Sequence, residues 1–295
     1  QVPGFSFGAD VMSVVGPSIR GLWAYEGKTL LLIDGIEMNE SLFGTIQLGN
    51  HLPVNHIKQI EIIRGPGSAI YGGFAELAVI KITTKGADLA GGEIFTSFSY
   101  SGDHFGQSYD LIYGDTFGED FKMSLGMRYS KDITSNENYR DAAGTEVKLG
   151  DDQQMEPYYL NLGMQYKELE FRLIYDAYQY EQRTQFGTAT VSSPYDEQFN
   201  SLLSSVKNTF HINDSWTLTP KFTYKFQQPW RKEHADLTGY HIDVEKFIYN
   251  LDSHIELNET SNLSLGVEYY EERANAVDNL PDTYFGGRKS VSYES

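Results

Sequence analysis

Over much of residues 93–270 apolar and polar positions alternate with a period of two, as in strands with one face toward an apolar medium and the other toward a polar one. Between 121 and 130, Phe121, Met123, Leu125, Met127 and Tyr129 share one face, and Lys122, Ser124, Gly126, Arg128 and Ser130 the other. Tyr158, Leu160, Leu162, Met164 and Tyr166 repeat this against Tyr159, Asn161, Gly163, Gln165 and Lys167, with an aromatic at each end. Phe171, Leu173 and Tyr175 oppose Glu170, Arg172 and Asp176; Trp216, Leu218, Phe222, Tyr224 and Phe226 oppose Thr217, Thr219, Lys221, Thr223 and Lys225. Leu263, Leu265, Val267 and Tyr269 stand against Ser264, Gly266, Glu268 and Tyr270. Less regular strands are predicted near 93–101, 108–117, 198–212 and 241–257. That makes about nine strands, with a tenth beginning near Arg288.

The connections alternate too. Tight turns are predicted at 118–120, 167–168, 213–215 and 258–260, and longer polar loops at 133–155, 183–197, 231–240 and 274–288. The first connection, 103–106, is short. Turns at one end, loops at the other and aromatic strand ends are the marks of an antiparallel transmembrane β-barrel with a polar interior. Alternation alone also suits a soluble β-sandwich.

The first 85 residues read differently. Two apolar runs, 29–33 and 36–38, are joined by Asp34-Gly35, a pair that tolerates positive φ and predicts a tight hairpin. Pro53 suits the first turn of a short helix, a β-branched strand follows over 57–64, and Pro66 repeats the device before 68–71. Gly65, Gly67, Gly72 and Gly73 punctuate the return to a strand over 78–84. This is a small α/β unit.

Four motifs occur here in a fixed order: SIRG (18–21), LLLIDG (30–35), IKQIEIIRGPGSAIYGG (57–73) and VIKITTK (79–85). Together they resemble the plug domain of a TonB-dependent outer-membrane receptor, over about residues 1–85. Leu77-Ala78 departs from the pattern, standing where a glycine is common. The resemblance implies a plug at 1–87 and the N-terminal part of the barrel at 88–295. It implies energy coupling through the TonB-ExbB-ExbD complex, although no TonB box or signal peptide can be read here. It also implies an outer-membrane location, lipid around the wall and a small-molecule or glycan ligand. The solute would be scarce and bulky: a siderophore, haem, cobalamin or glycan. A surface adhesion or phage and bacteriocin receptor without active transport is the alternative, and an enzymatic barrel a third.

Size adds an expectation. A unit of some 85 residues has a radius of about 15 Å, whereas ten strands about 4.8 Å apart and tilted about 40° enclose a radius of only about 10 Å. About 22 strands give roughly 22 Å, the class with a plugged lumen. The chain is therefore expected to hold about 9–10 strands of some 22.

Composition narrows the chemistry. The absence of cysteine excludes disulfides and thiolate sites. A net charge of -18 argues against nucleic acid as partner. No apolar run reaches the roughly 20 residues of a membrane-spanning helix, but a barrel hides its signal in alternation. The 21 tyrosines and 17 phenylalanines suit strands and interfacial girdles.

Among candidate site residues, the resemblance places Arg20 and Arg64 as plug arginines that dock on glutamates of the barrel wall, carried in the family on later strands. The other reading is solvation or pairing within the plug. Segments 22–26 and 41–47 resemble apical loops that touch ligand. There Trp23, Tyr25, Phe43 and Gln47 offer flat apolar surface and a polar handle, or else Trp23 and Phe43 pack the plug. The glycines of 65–73 lack the Lys-Ser or Lys-Thr of a phosphate loop. Asp141, Glu146, Asp151 and Asp152 lack an EF-hand pattern, His234 and His241 lack further ligand spacing, and Glu268, Glu271 and Glu272 lack a catalytic partner. No cofactor, metal or enzymatic constellation is read.

Overall fold

The computed structural model describes all residues except 1, 10–14, 25, 47, 49–51, 66, 68–70, 102–103, 134, 141–142, 150–152, 185–189, 234–239, 278–289 and 295. Strands β1 (Phe5–Ala9), β2 (Val15–Ile19) and β3 (Leu22–Trp23) form a small antiparallel sheet. Beside it, β4 (Thr29–Ile33), β5 (Ile36–Glu37), β6 (Ile57–Arg64) and β7 (Ala78–Thr84) form a mixed sheet of order β5-β4-β7-β6, with β4 parallel to β7. The β4–β5 hairpin turns at Asp34 and Gly35, with φ of 48° and 79°. Positive φ at both positions matches the right-handed twist of the flanking strands, which is why Asp-Gly serves there. After Pro53 the chain makes a single 3-10 turn, Val54–His56. The second expected helix falls mainly on 68–70, outside the described residues; Tyr71 N donates to Gly67 O at 2.9 Å in a helical step.

The rest is one antiparallel wall. Its staves are β8 (Gly91–Ser101), β9 (His104–Phe117), β10 (Phe121–Ile133), β13 (Gln154–Met155) with β14 (Tyr158–Tyr166), β15 (Leu169–Thr184) and β16 (Thr190–Asn208) with β17 (Phe210–Asn213). They continue with β18 (Trp216–Glu233), β19 (Ile242–Asn258), β20 (Ser261–Ala276) and β21 (Ser290–Glu294). The long connection after β10 carries a hairpin, β11 (Asn138–Arg140) and β12 (Glu146–Lys148).

The two faces separate as the alternation predicts. Met127, Tyr158, Phe222 and Leu265 are exposed on the outer face. Ser124, Asn161, Thr223 and Lys225 are buried on the inner face, where the wall meets the first 85 residues. On the outside, Phe121 pairs with both Phe117 and Tyr166, making one aromatic row, and Tyr129 pairs with both Tyr109 and Tyr158, making another. Phe121 and Tyr129 are eight positions apart, about 27 Å of strand at about 3.4 Å per residue. A tilt of about 40° reduces this to about 21 Å of height, close to the roughly 25 Å apolar band between the aromatic girdles of a membrane barrel.

Above the upper row the strands run further than alternation suggested. Positions 183–197 read as a loop, yet β15 continues to Thr184 and β16 starts at Thr190. Likewise β18 reaches Glu233 and β20 reaches Ala276. Beyond the membrane band the outer face meets water, so both faces can be polar and the period-two signal fades. Backbone pairing persists there because the ladder needs no apolar partner.

The core lies between plug and wall. Leu31, Ile33, Ile36, Ile46 and Ile80 pack in one cluster with Ile174, Leu203, Tyr159 and Phe199 of the wall. Burying a Leu or Ile contributes about 1.5–3 kcal/mol. Glycines let the two surfaces approach: a Cβ on Gly126 would lie 2.6 Å from His56 Nδ1, and one on Gly114 would lie 2.1 Å from Gly86 O. Gly126→Ala is expected to destabilise the plugged state by about 1–3 kcal/mol through overpacking. Thermal unfolding of the full-length protein would show it, and His56→Ala in the same background should recover most of the loss.

Candidate functional site

Two surfaces can do work in this architecture: the seam where the plug is held, and the upper inner wall above it.

The seam is polar and centred on the β4–β5 hairpin. Asp34 Oδ1 accepts from Thr84 N at 2.9 Å, and Asp34 Oδ2 accepts from Thr84 Oγ1 at 2.7 Å. The same Oδ2 also accepts from Asn161 Nδ2 and Arg172 Nη1 of the wall, each at 2.8 Å. Lys225 Nζ, on a side chain only 1 % exposed, donates to Glu37 Oε1 at 2.7 Å and to Asn39 O at 2.9 Å. Lys221 Nζ reaches Gly35 O at 2.9 Å, and Ser41 Oγ donates to Gln227 Oε1 at 3.1 Å. Burial works against ionisation of Glu37, but Lys225 beside it, with Lys246 and Lys221 adding to its effect, outweighs burial, and the carboxyl is held below its usual range.

A second contact lies by the 3-10 turn. Asn55 Nδ2 donates to Asp110 Oδ2 at 3.2 Å, Arg128 Nη1 reaches the two oxygens of Asp110 at 3.1 and 3.0 Å, and His56 Nε2 stands 3.5 Å from Oδ1. Here the wall supplies both the carboxylate and the guanidinium.

The apical loop after β5 is stapled from within. Asn39 Nδ2 donates to Thr29 O and Gly44 O, while Asn39 Oδ1 accepts from Leu31 N. Glu40 accepts from Leu42 N, Phe43 N, Thr45 N and Thr45 Oγ1. Burial pushes the Glu40 carboxyl up against these four hydrogen bonds, which favour its charged form. The loop presents Phe43, 53 % exposed, while Leu42 packs on Ile242, Val244 and Ala274 of the wall.

The upper inner wall is aromatic. Tyr178 and Tyr180 lie 5.3 Å apart, and Phe199 sits 6.3 and 6.4 Å from them and 4.7 Å from Trp230. Trp230 has φ of 57°. A bulky residue there is strained. The cause is a register shift between Gln198 and Asn200 against β18, a bulge beside which Trp230 meets Phe199 edge to face. Level with Tyr180, toward the loop end, fully buried Glu197 accepts from Tyr180 OH at 2.8 Å and pairs with Lys232 at 3.0 Å.

The residues singled out from sequence fall as follows. Trp23 is exposed on β3, with its ring over Gly8. Tyr25 and Gln47 lie outside the described residues. Arg20 is exposed at φ 52°, its N bonded to Gly4 O, and Arg64 Nη1 donates to Pro3 O at 2.9 Å within the plug. Asp141, Asp151, Asp152 and His234 also lie outside the description. Glu146 pairs with Arg140, His241 with Asp243, Glu268 accepts from Asn250, Glu271 pairs with Arg273 and Glu272 with Lys246.

Sequence reasoning missed the seam. Its one legible signal was the presence of Arg128, Arg172, Lys221 and Lys225 on polar faces that pass the membrane band. Charges at that depth need partners.

Comparison with known proteins agrees with this geometry. Residues 1–78 match the family model described as the TonB-dependent Receptor Plug Domain. The chain is part of a TonB-dependent receptor, plug and barrel wall together. The vitamin B12 transporter BtuB of Vibrio vulnificus is 39% identical over 76 residues, 26% of this chain and 12% of that protein. BtuB of Vibrio cholerae is 22% identical over 272 residues, 90% of this chain and 43% of that one. The ferric enterobactin receptor PfeA of Pseudomonas aeruginosa shares the fold with a TM-score of 0.68 at 16% identity, covering 99% of this chain and 50% of that one. The FrpB iron transporter of Neisseria meningitidis gives 0.64 at 12% identity, covering 99% and 56%. The chain thus spans less than half of these B12 transporters and about half of these solved receptors.

Proposed function

We propose that the whole protein is an outer-membrane receptor that captures a scarce, bulky solute and imports it by energy-coupled release through its plugged barrel. The observation that carries this reading is the seam: ionic and hydrogen-bonded contacts hold the plug against the wall, so passage requires plug movement and hence an energy input. The TonB-ExbB-ExbD complex would supply it from the inner membrane. The solute class follows the relatives, whose names speak of vitamin B12, ferric enterobactin and iron. A siderophore or cobalamin leads, with haem and glycans behind.

In this reading residues 1–87 are the plug and 88–295 the first part of the barrel, surrounded by outer-membrane lipid. Phe43, Trp23, Tyr25 and Gln47 meet the solute from the plug side, with Trp230 opposite. Arg20 and Arg64 dock on glutamates of strands beyond this chain. The protein acts as a transporter and not as an enzyme.

Cells lacking their own receptors and expressing the full-length protein should accumulate labelled cobalamin or a ferric siderophore, and a protonophore should abolish accumulation while leaving surface binding intact. Uptake indifferent to the protonophore would refute energy coupling. Surface binding with no uptake in energised cells would favour the adhesion or phage-receptor reading.

A further inference from the structure

At the turn end of the barrel, under the plug, lies a cavity of about 320 Å³ between Asp34, Gly35 and Gly86 of the plug side and the wall strands β10, β14, β15, β16 and β18. Four cations line it: Lys122, Arg172, Lys207 and Lys221. In a chain of net charge -18 with 23 Lys and Arg in all, that convergence runs against the overall balance.

Three carboxylates share the lining, and each is engaged. Asp34 is held by Arg172 at 2.8 Å, Glu170 by Lys207 at 3.0 Å, and Asp88 by Lys58 at 3.2 Å from outside the cavity. Four positive charges therefore face three negative ones, one of them already neutralised from elsewhere. Lys221 Nζ meets the neutral Gly35 carbonyl, and neither Lys221 nor Lys122 has a carboxylate in ion-pair contact among the described residues. The guanidinium of Arg172 is held close to the wall: a Cβ at Gly163 would come within 2.9 Å of its Nη2.

We infer that this cavity is an oxyanion site, taking a carboxylate or phosphate group between Lys122, Lys221 and Arg172. Such a group accepts charge-assisted hydrogen bonds from all three. It also competes with Asp34 for Arg172 and with the Gly35 carbonyl for Lys221. Occupancy would thereby loosen the β4–β5 turn from the wall, so anion binding below and plug holding above oppose each other. The direction of traffic, an oxyanion borne by a departing solute or a free one entering from the turn side, rests on the transport reading. The existence of the site does not.

The test uses the detergent-solubilised full-length receptor and calorimetric titration with inorganic phosphate, citrate and ferric citrate. The comparison is with the single variant Lys122→Gln, which spares the contacts that hold the hairpin and the Lys207–Glu170 pair. Expected is saturable binding of at least one of these anions, weakened about tenfold or more in the variant, with an unchanged unfolding midpoint. Ferric citrate binding tighter than citrate or phosphate would point to a solute-borne oxyanion; phosphate preferred would point to a free one. No binding up to about 10 mM anion, a range that would reveal millimolar affinity, or equal binding by the variant, would overturn the site. Because no uptake is measured, this result is separable from the fate of the transport proposal.

Discussion

Lys225→Met is expected to weaken the hold of the wall on the plug by about 3–5 kcal/mol, the usual effect of removing one partner from a buried ion pair. The ammonium is almost wholly enclosed and has two acceptors on the plug, Glu37 Oε1 and Asn39 O. Methionine fills similar volume, so the loss is electrostatic: Glu37 loses its ion-pair partner inside the seam, and Asn39 O loses a donor. Hydrogen exchange on the full-length receptor should show faster opening of the β4–β5 hairpin while the wall strands stay protected. The double variant Lys225→Met/Glu37→Gln should recover much of the loss, because no carboxylate is left without its ion-pair partner. If the single variant opens no faster than the parent, Lys225 is not the anchor.

The same pair sets a pH dependence. The folded Glu37 carboxyl titrates below its ordinary 4.5. The folded state therefore binds fewer protons there than the unfolded one, and the pair contributes fully above about pH 4.5 and is lost as pH falls through the folded value. Acid should release the hairpin in the parent, with a smaller acid effect in Glu37→Gln.

Asp34→Ala should be at least as damaging, again by about 3–5 kcal/mol. Asp34 combines three roles. Its backbone sits at positive φ, where alanine adds about 1–2 kcal/mol of strain. Its Oδ1 and Oδ2 tie the hairpin to Thr84 on β7, and Oδ2 takes hydrogen bonds from Asn161 and Arg172. Asp34→Asn keeps the turn, which asparagine tolerates, but loses the charge facing Arg172. It should cost about 1.5–3 kcal/mol, the scale of one charge-assisted hydrogen bond. The order parent, Asn, Ala in thermal midpoint and in hairpin exchange is the expected outcome. Equal behaviour of the two variants would mean that turn strain dominates and that the wall contact contributes little.

The local rules were legible from the residues. Alternation over 121–130 and 158–166 placed the lipid and lumen faces correctly because the strand period is two and each residue reports its own side. Asp34-Gly35 announced its hairpin because turn backbone depends on the two residues that occupy it. The tenth stave, expected near Arg288, is β21 at Ser290–Glu294. Inward apolar Ile174 and Leu203 were harder to read: on a face expected to be polar they have meaning only against the isoleucines of the plug.

What the order of residues determined by itself was the set of strands, their faces, the hairpin and the plug's family likeness, all properties of neighbours along the chain. Only the tertiary structure decided which charges meet. Arg172 and Asp34 are 138 positions apart and Lys225 and Glu37 188, and no periodicity reaches across such separations. Around the hairpin the cations Arg172 and Lys225 stand on the wall and the carboxylates Asp34 and Glu37 on the plug. Sign and partner in an ion pair depend on which surfaces are brought within a few ångströms, and that is settled by how the wall curves around the plug.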